Sequence, residues 1–443
     1  MSWSGAVSLQ NVALDTAYSL RNLRFPRVTV ADYQLSCISD GLVEVDLVID
    51  RSEIKSVKPA GSGAVLTTDI DMAHAMAWPC PIDCHTHLDK GQVWPRSKNT
   101  DGSFDGASRV AYRESIGPAF TADVDTRVDF SLRTAYSHGT RAIRSHVDGN
   151  SNNFSQVFDQ LTELSNTWAD RITLQLCPFS DISDSIEWLS YLATCAAKQP
   201  YGVFSSFVYP TPCLDAQLDS VVQLADAKGL ALDFHADETL NPESHCLRAI
   251  ARSVLRNKFD GPVLVGHCCA LSVQPAEEVS KTLDLVAAAG IGIVALPLCN
   301  AYLMDRHQAQ TPRHRGTAPV HEARSRGIEV AIGSDNVRDA FYAYGDLDVP
   351  ELFRDSIRMM QLDHPVGDWP GTVTSTAAKL IGEPELGTIR NGSQADLVLF
   401  EARNWSEFVA RPQSSRIVLR SGRMIDTTPP EFSELDHLHE FSI

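Results

Sequence analysis

Basic residues are scarce in this chain: 38 lysines and arginines face 56 aspartates and glutamates over 443 residues, a formal charge of −18. Binding to a phosphate backbone or an anionic membrane surface needs clustered cations, so both are poor partners and a small molecule is the better one. Long apolar runs are missing too. The longest, Leu285 to Leu298, is shorter than a membrane span and holds Gly290, Gly292 and Pro297. Met1 to Arg21 lacks the basic start and continuous apolar core of a secretion signal, so a cytoplasmic protein is expected. Cysteine is present but unpatterned. The ten residues are scattered, with no Cys-x-x-Cys pair and no dense framework, which excludes a disulfide scaffold and leaves them as small buried hydrophobes.

What is present is a recurring unit. Apolar runs that end in a polar or ionisable residue alternate with helix-length segments after about residue 75. The first is the lead Ala75 to Cys80, read as a buried strand that delivers His85 and His87. The others are Arg141 to His146, Ile172 to Cys177, Val203 to Val208, Leu230 to His235, Val263 to His267, Ile291 to Leu296 and Ile328 to Asp335. Between them, Asp215 to Ala227 and Ala276 to Ala289 carry helical periodicity and stop at glycine. Eight strand–helix units predict an α/β fold, a TIM-like (β/α)₈ barrel with its chemistry at the strands' C-terminal ends. Outside it the pattern is short strands and turns, as in the alternating Leu42 to Asp50 and in Leu386 to Phe400. The expected division is a small discontinuous β-sandwich domain from residues 1–74 and 385–425, a hydrolase barrel over 75–384, and an acidic tail over 426–443.

Ligand-type residues gather at the predicted rim. Period-2 geometry points His85 and His87 to one side of their strand, His235 ends the fifth strand, His267 the sixth and Asp335 the eighth. His85, His87, His235 and Asp335 can hold one divalent transition metal and leave a position for water. Asp335 can take the water's proton, Glu238 can shuttle a proton to substrate, and His267 can orient the water. Singly, a histidine here is ordinarily a satisfied core residue and an aspartate a turn residue. Their joint arrival at one rim is what calls for a metal.

At these residues the chain resembles the amidohydrolase superfamily and, within it, the cytosine deaminase family. His85-Thr86-His87-Leu88-Asp89, Ser145-His146-Val147-Asp148, His235-Ala236-Asp237-Glu238, Gly266-His267, Pro297-Leu298-Cys299-Asn300, Arg313-His314-Arg315-Gly316 and Gly333-Ser334-Asp335-Asn336 fall in the family's order. The resemblance implies the same four metal ligands with Glu238 and His267 as catalytic partners, and it places Phe341 near an aromatic of the pocket. Two departures bear on substrate. Where those deaminases carry a glutamine after the third strand this chain has Asp181, and where they carry two aspartates after the eighth it has Asp335-Asn336. An ionised Asp181 accepts hydrogen bonds and offers none, so a ring edge presenting donors suits it better than cytosine does. Capping in Ser180 to Asp184 is the competing role for Asp181. Lys90 matches relatives that hydrolyse aminated triazines, although a lysine at a barrel rim is ordinarily solvated.

The expected function is hydrolytic deamination of an aminated N-heterocycle (a cytosine-like pyrimidine, a triazine or a related ring) with release of ammonia. It would depend on one divalent metal, zinc or iron with manganese also compatible. A cyclic-amide hydrolase is the alternative enzyme and a non-catalytic ligand-binding barrel the alternative without chemistry. Hydantoinase-like enzymes use two metals bridged by a carboxylated lysine on the fourth strand, and Tyr201 to Pro210 contains no lysine. The expected partner is the small heterocyclic substrate; a homo-oligomer is compatible with the sequence.

Overall fold

The structure is a computed structural model that describes residues 9, 16–31, 35–62, 68–148 and 152–439. The leading strands are β1 (Tyr18–Pro26), β2 (Leu42–Asp50), β3 (Glu53–Pro59), β4 (Asp69–Asp71) and β5 (Met76–Pro79). Next come β6 (Ile82–Thr86), β7 (Ala142–Asp148), β8 (Thr173–Asp181), β9 (Val203–Val208), β10 (Ala231–Ala236), β11 (Val263–His267), β12 (Gly292–Ala295) and β13 (Val330–Ile332). β14 (Leu397–Phe400), β15 (Ile417–Arg420) and β16 (Arg423–Met424) follow. These strands fall into two compact units, Met1–Ile82 with Arg133–Arg141 and Asp348–Pro429, and Asp83–Leu132 with Ala142–Leu347 and Pro430–Ile443.

The first unit is built on a mixed sheet of order β16-β15-β14-β5-β1-β2-β3, with β4 on β1. Alternation in β2 sends Val43, Val45, Leu47 and Ile49 into a core shared with Leu20, Leu23 and Phe25 of β1. Trp78 of β5 is fully buried against Phe353, Phe400 and Phe408, with ring centroids 5.0–5.4 Å away. Here the reading of the sequence needs correction. The lead Ala75 to Cys80 is not the first barrel strand: Met76–Pro79 pairs antiparallel with β14 and touches β1 in this sheet. Pro79 and Pro81 lack the N–H that a continuing ladder needs, so the strand stops and a separate one starts at Ile82.

The second unit holds the predicted barrel. β6 to β13 are hydrogen-bonded in sequence order, and the ladders recorded between them are parallel. A parallel bridge between Thr86 and Asp335 joins the ends of the first and last strands. Both faces are covered, so strands such as β11 are buried throughout and read as continuous apolar runs. The helix Leu214–Lys228 buries Leu218, Val221 and Val222 and ends where Gly229 takes a left-handed conformation (φ 65°), which costs glycine little. Residues Phe432–Leu438 of the acidic tail form a short 3₁₀ helix. The Phe432 ring lies 4.2 Å from the Arg338 guanidinium and Leu438 O accepts from Arg96. Among the described residues no helix is long and apolar enough to cross a membrane. All ten cysteines are free and seven are buried; Cys37 and Cys213 are exposed, so the reading of the cysteines as buried hydrophobes fails at those two.

Candidate active site

Three strand ends bring the ligand-type residues to one point. Nε2 of His85 and Nε2 of His87 each lie 3.0 Å from Nε2 of His235, and Asp335 Oδ1 lies 3.8 and 3.6 Å from the first two. All four side chains are buried, and neither Asp335 oxygen has a hydrogen-bond partner. A buried carboxylate without donors is costly unless a cation offsets it. Burial, followed by the neighbouring His146 and His85 respectively, holds His85 and His235 well below the usual imidazole range, so both present lone pairs. Three neutral imidazoles and a donor-starved carboxylate at this spacing fit a divalent transition metal.

Local backbone fixes these groups. Asp335 N donates to His85 O at 2.9 Å and His87 N donates to Asp335 O at 3.3 Å, which locks the first and last barrel strands at the site. Asp335 (φ 67°) and His267 (φ 71°) both sit in the left-handed region, where a non-glycine residue is strained. Glycine on either side makes room for His85: a Cβ on Gly266 would come 2.8 Å from its Cε1, and one on Gly333 2.9 Å from its Cβ. Beneath it, His146 Nε2 lies 3.3 Å from His85 Nδ1. Arg144 anchors that layer by donating to Asp233 (2.9 Å) and Gln175 (3.0 Å).

Glu238 and His267 stand beside the cluster. Asn300 Nδ2 donates to His267 Nδ1 at 3.0 Å, and Glu238 Oε1 lies 3.3 Å from the same nitrogen. Both contacts are satisfied when Nδ1 carries no proton and the Glu238 carboxyl does. Consistent with this, burial and then the Asp335 charge push Glu238 well above the usual carboxylate range. Burial and then Lys90 pull His267 down to about 3. His267 Nε2 has no hydrogen-bond partner.

His87, His235, Asp335, Glu238 and His267 line a cavity of about 870 Å³. The three residues expected at its substrate end are all in its wall. Asp181 Oδ1 accepts from the Ser183 amide (2.8 Å) and hydroxyl (2.7 Å) and so closes a local turn, while the cap of the helix Ile186–Ala196 is Ser185. Asn336 donates to Asp339 at 2.6 Å, and Phe341 packs edge-on to Phe104. Lys90 is not the solvated rim lysine that its type suggests. It is buried at 8% exposure, paired with Asp148 at 3.1 Å, and its Nζ lies 5.7 and 5.2 Å from the Phe179 and Phe341 rings. Burial alone would lower its pKa, but Asp148 and Asp89 reverse this and keep the ammonium charged. Phe104 was not legible as a wall residue. Its helix, Phe104–Ser115, is capped by Ser103 and gives no sequence sign of lying over a site.

A sequence profile of the amidohydrolase family matches residues 139–426. The chain is 44% identical over 422 residues to a pterin deaminase of Rhizobium rhizogenes, covering 95% of this chain and 96% of that protein. It is 21% identical over 401 residues to an N-isopropylammelide isopropyl amidohydrolase of a Pseudomonas species, covering 87% and 94%. Among solved structures, a 5-methylcytosine deaminase from Klebsiella pneumoniae liganded with 5-fluorocytosine shares the fold. Its TM-score is 0.78 at 20% identity, over 93% of this chain and 98% of that one.

Proposed function

The chain belongs to the amidohydrolase family, and from that membership we propose that it is a metal-dependent hydrolytic deaminase whose substrate is an aminated N-heterocycle of the pterin kind. The observation that carries the reading is the end-to-end identity of 44% to a pterin deaminase. The gathering of His85, His87, His235 and Asp335, with the last three in the wall of a cavity of about 870 Å³, supports it.

These four residues would hold one divalent metal: zinc, iron or manganese each suits three imidazoles and a carboxylate. When bound, such an ion lowers the pKa of water to about 7 and so makes a nucleophile available at neutral pH. The chain's own groups do the rest. His267, through its unpartnered Nε2, orients the water. Asp335 takes a proton from it, and Glu238 gives one to a ring nitrogen as a C–O bond forms at the carbon bearing the amino group. The proton on Asp335 then goes to the exocyclic nitrogen, the C–N bond breaks and ammonia leaves, while the added hydroxyl returns its proton to Glu238, so that an oxo group remains on the ring and both carboxyl groups are restored. Phe179 and Phe341 offer flat apolar faces to the ring, and the buried Lys90 ammonium is placed to meet an oxo oxygen. The side chains of Asp181 and Asn336 complete the polar edge.

The cyclic-amide alternative gains no support, since β9, the fourth barrel strand, carries no lysine to bridge a second ion. The test is ammonia release by the metal-loaded protein from a panel of aminated pterins, purines, pyrimidines and triazines. Turnover highest on a pterin is expected, and silence across the panel would overturn the reading.

A further inference from the structure

A second cavity of about 830 Å³ adjoins the first. Three residues, Phe104, Phe207 and Glu238, belong to the walls of both. The rings of Phe104 and Phe207 are nearly parallel, 21° apart with centroids at 6.1 Å, so they flank the junction with flat apolar faces. We infer that this second cavity is a substrate subsite which receives a substituent carried by the deaminated ring and selects an uncharged, hydroxylated chain over a carboxylate. The inference rests on the deaminase reading and extends it to the part of the substrate remote from the reacting carbon.

Position is the first reason. Glu238 is the group assigned to protonate the ring, and it stands in both walls, so a ring within its reach lies at the opening of the second cavity. Composition is the second. Leu240, Leu303 and Met304 give the wall an apolar portion. Thr239 Oγ1 accepts from Asn241 N and Asn241 Oδ1 accepts from Glu243 N, which leaves the Thr239 O–H and the Asn241 amide N–H as donors for a neutral hydroxyl.

Charge decides between a neutral and an anionic chain. Asp105, Asp237 and Asp305 stand in this wall against the Arg306 guanidinium, which is itself turned to Tyr302 O through Nε (2.9 Å) and Nη2 (2.6 Å). Asp237 accepts from Ser244 Oγ and from the amides of Cys246 and Leu247. Asp305 accepts from the His314 amide and lies 3.3 Å from His307. Their charges are held in place, and a carboxylate-ended chain entering here meets like charge.

The experiment uses the metal-loaded full chain and three compounds: unsubstituted pterin, a pterin bearing a trihydroxypropyl chain, and a pterin bearing a carboxylate-ended chain of similar length. The wild-type protein should favour the hydroxylated over the carboxylated compound in kcat/KM. Leu240→Trp puts bulk into the second cavity at a residue that lines its wall and not that of the first. It should lower kcat/KM about tenfold for the hydroxylated compound, through KM, and leave unsubstituted pterin within about twofold. Asp105→Asn, at an exposed position, should narrow the preference against the carboxylate. Fluorescence titration of the same compounds into the metal-stripped protein gives Kd without turnover and separates the two readings. If no compound releases ammonia but Leu240→Trp still weakens binding of the hydroxylated chain alone, the deaminase reading falls and the subsite stands. If pterin is deaminated while Leu240→Trp and Asp105→Asn leave both preferences unchanged, the subsite is overturned and the deaminase reading stands.

Discussion

At the scale of single residues, Glu238 is proposed to move a proton without holding the metal. Glu238 lies 3.3 Å from His267, whereas the Nε2 atoms of His85 and His87 meet His235 Nε2 at 3.0 Å and lie 3.8 and 3.6 Å from Asp335. Glu238→Gln keeps size and hydrogen bonding but cannot give up a proton as a carboxylic acid does. It should retain metal by elemental analysis and lose roughly two to four orders of magnitude in kcat, the span of a general acid. Loss of metal in that variant would move Glu238 among the ligands instead. Gly266 makes the converse prediction. The Cβ of Gly266→Ala would press on a His85 ring hemmed in by Gly333 and His146, so metal affinity should fall about 10- to 100-fold while the circular dichroism spectrum stays unchanged. An unaltered affinity in a chelator competition would show that His85 can shift freely. That His85, His87, His235 and Asp335 gather at one rim was legible in the sequence because the chemistry restricts their types and the strand period restricts their spacing. Lys90 was not, because its burial depends on Asp148, 58 residues away, and on two rings that the fold brings over it.

At the scale of elements, periodicity was sufficient where a strand or helix buries a face of its own. The alternation of β2 and the helical spacing of Leu214–Lys228 both appear where their patterns put them. Periodicity failed at Met76–Pro79, where four buried residues suit either sheet and only the prolines decide. The helix Val349–Met360 shows how an ion pair can anchor an element. Asp348 caps it, accepting from Glu351 N at 3.1 Å, and takes a two-pronged contact from Arg416 at 2.6 and 2.5 Å. Burial alone would raise the Asp348 carboxyl, but the Arg416 guanidinium, with His138 behind it, more than reverses this and holds it below the ordinary range. A depressed folded value means the stabilisation is complete above the unfolded value of about 3.9 and is lost as pH falls through the lower folded one. Asp348→Asn leaves Arg416 buried without its partner and should cost about 3 to 5 kcal/mol at neutral pH. Urea unfolding of both proteins should show that gap at pH 7 and its shrinkage once the pH drops below about 4. A gap that stays constant into acid would mean that the Asp348 charge does not carry the effect, since asparagine keeps the capping oxygen.

At the scale of the whole molecule, eight strand–helix repeats were legible because each repeat must cover one strand of a parallel sheet and few closed arrangements allow it. The two cavities were not, since their walls come from segments such as Phe104–Ser115 whose sequences carry only helix signals. What the barrel contributes to chemistry is convergence: His85, His235 and Asp335 are far apart in the chain and meet only because the first, fifth and eighth strands end at one rim. A metal held there ties the first strand to the fifth and eighth, and it binds the folded barrel far better than the unfolded chain. Removing it should therefore abolish ammonia release and also lower the melting temperature, with both restored by adding back zinc, manganese or ferrous iron. The stoichiometry separates the readings. Under the proposed single-ion reading, His85, His87, His235 and Asp335, with no lysine on β9, should give about one ion per chain at full activity. Activity that keeps rising until two ions are bound would show that the second group, His85 with His146 and Asp233, also holds metal, and the single-ion assignment would have to be abandoned.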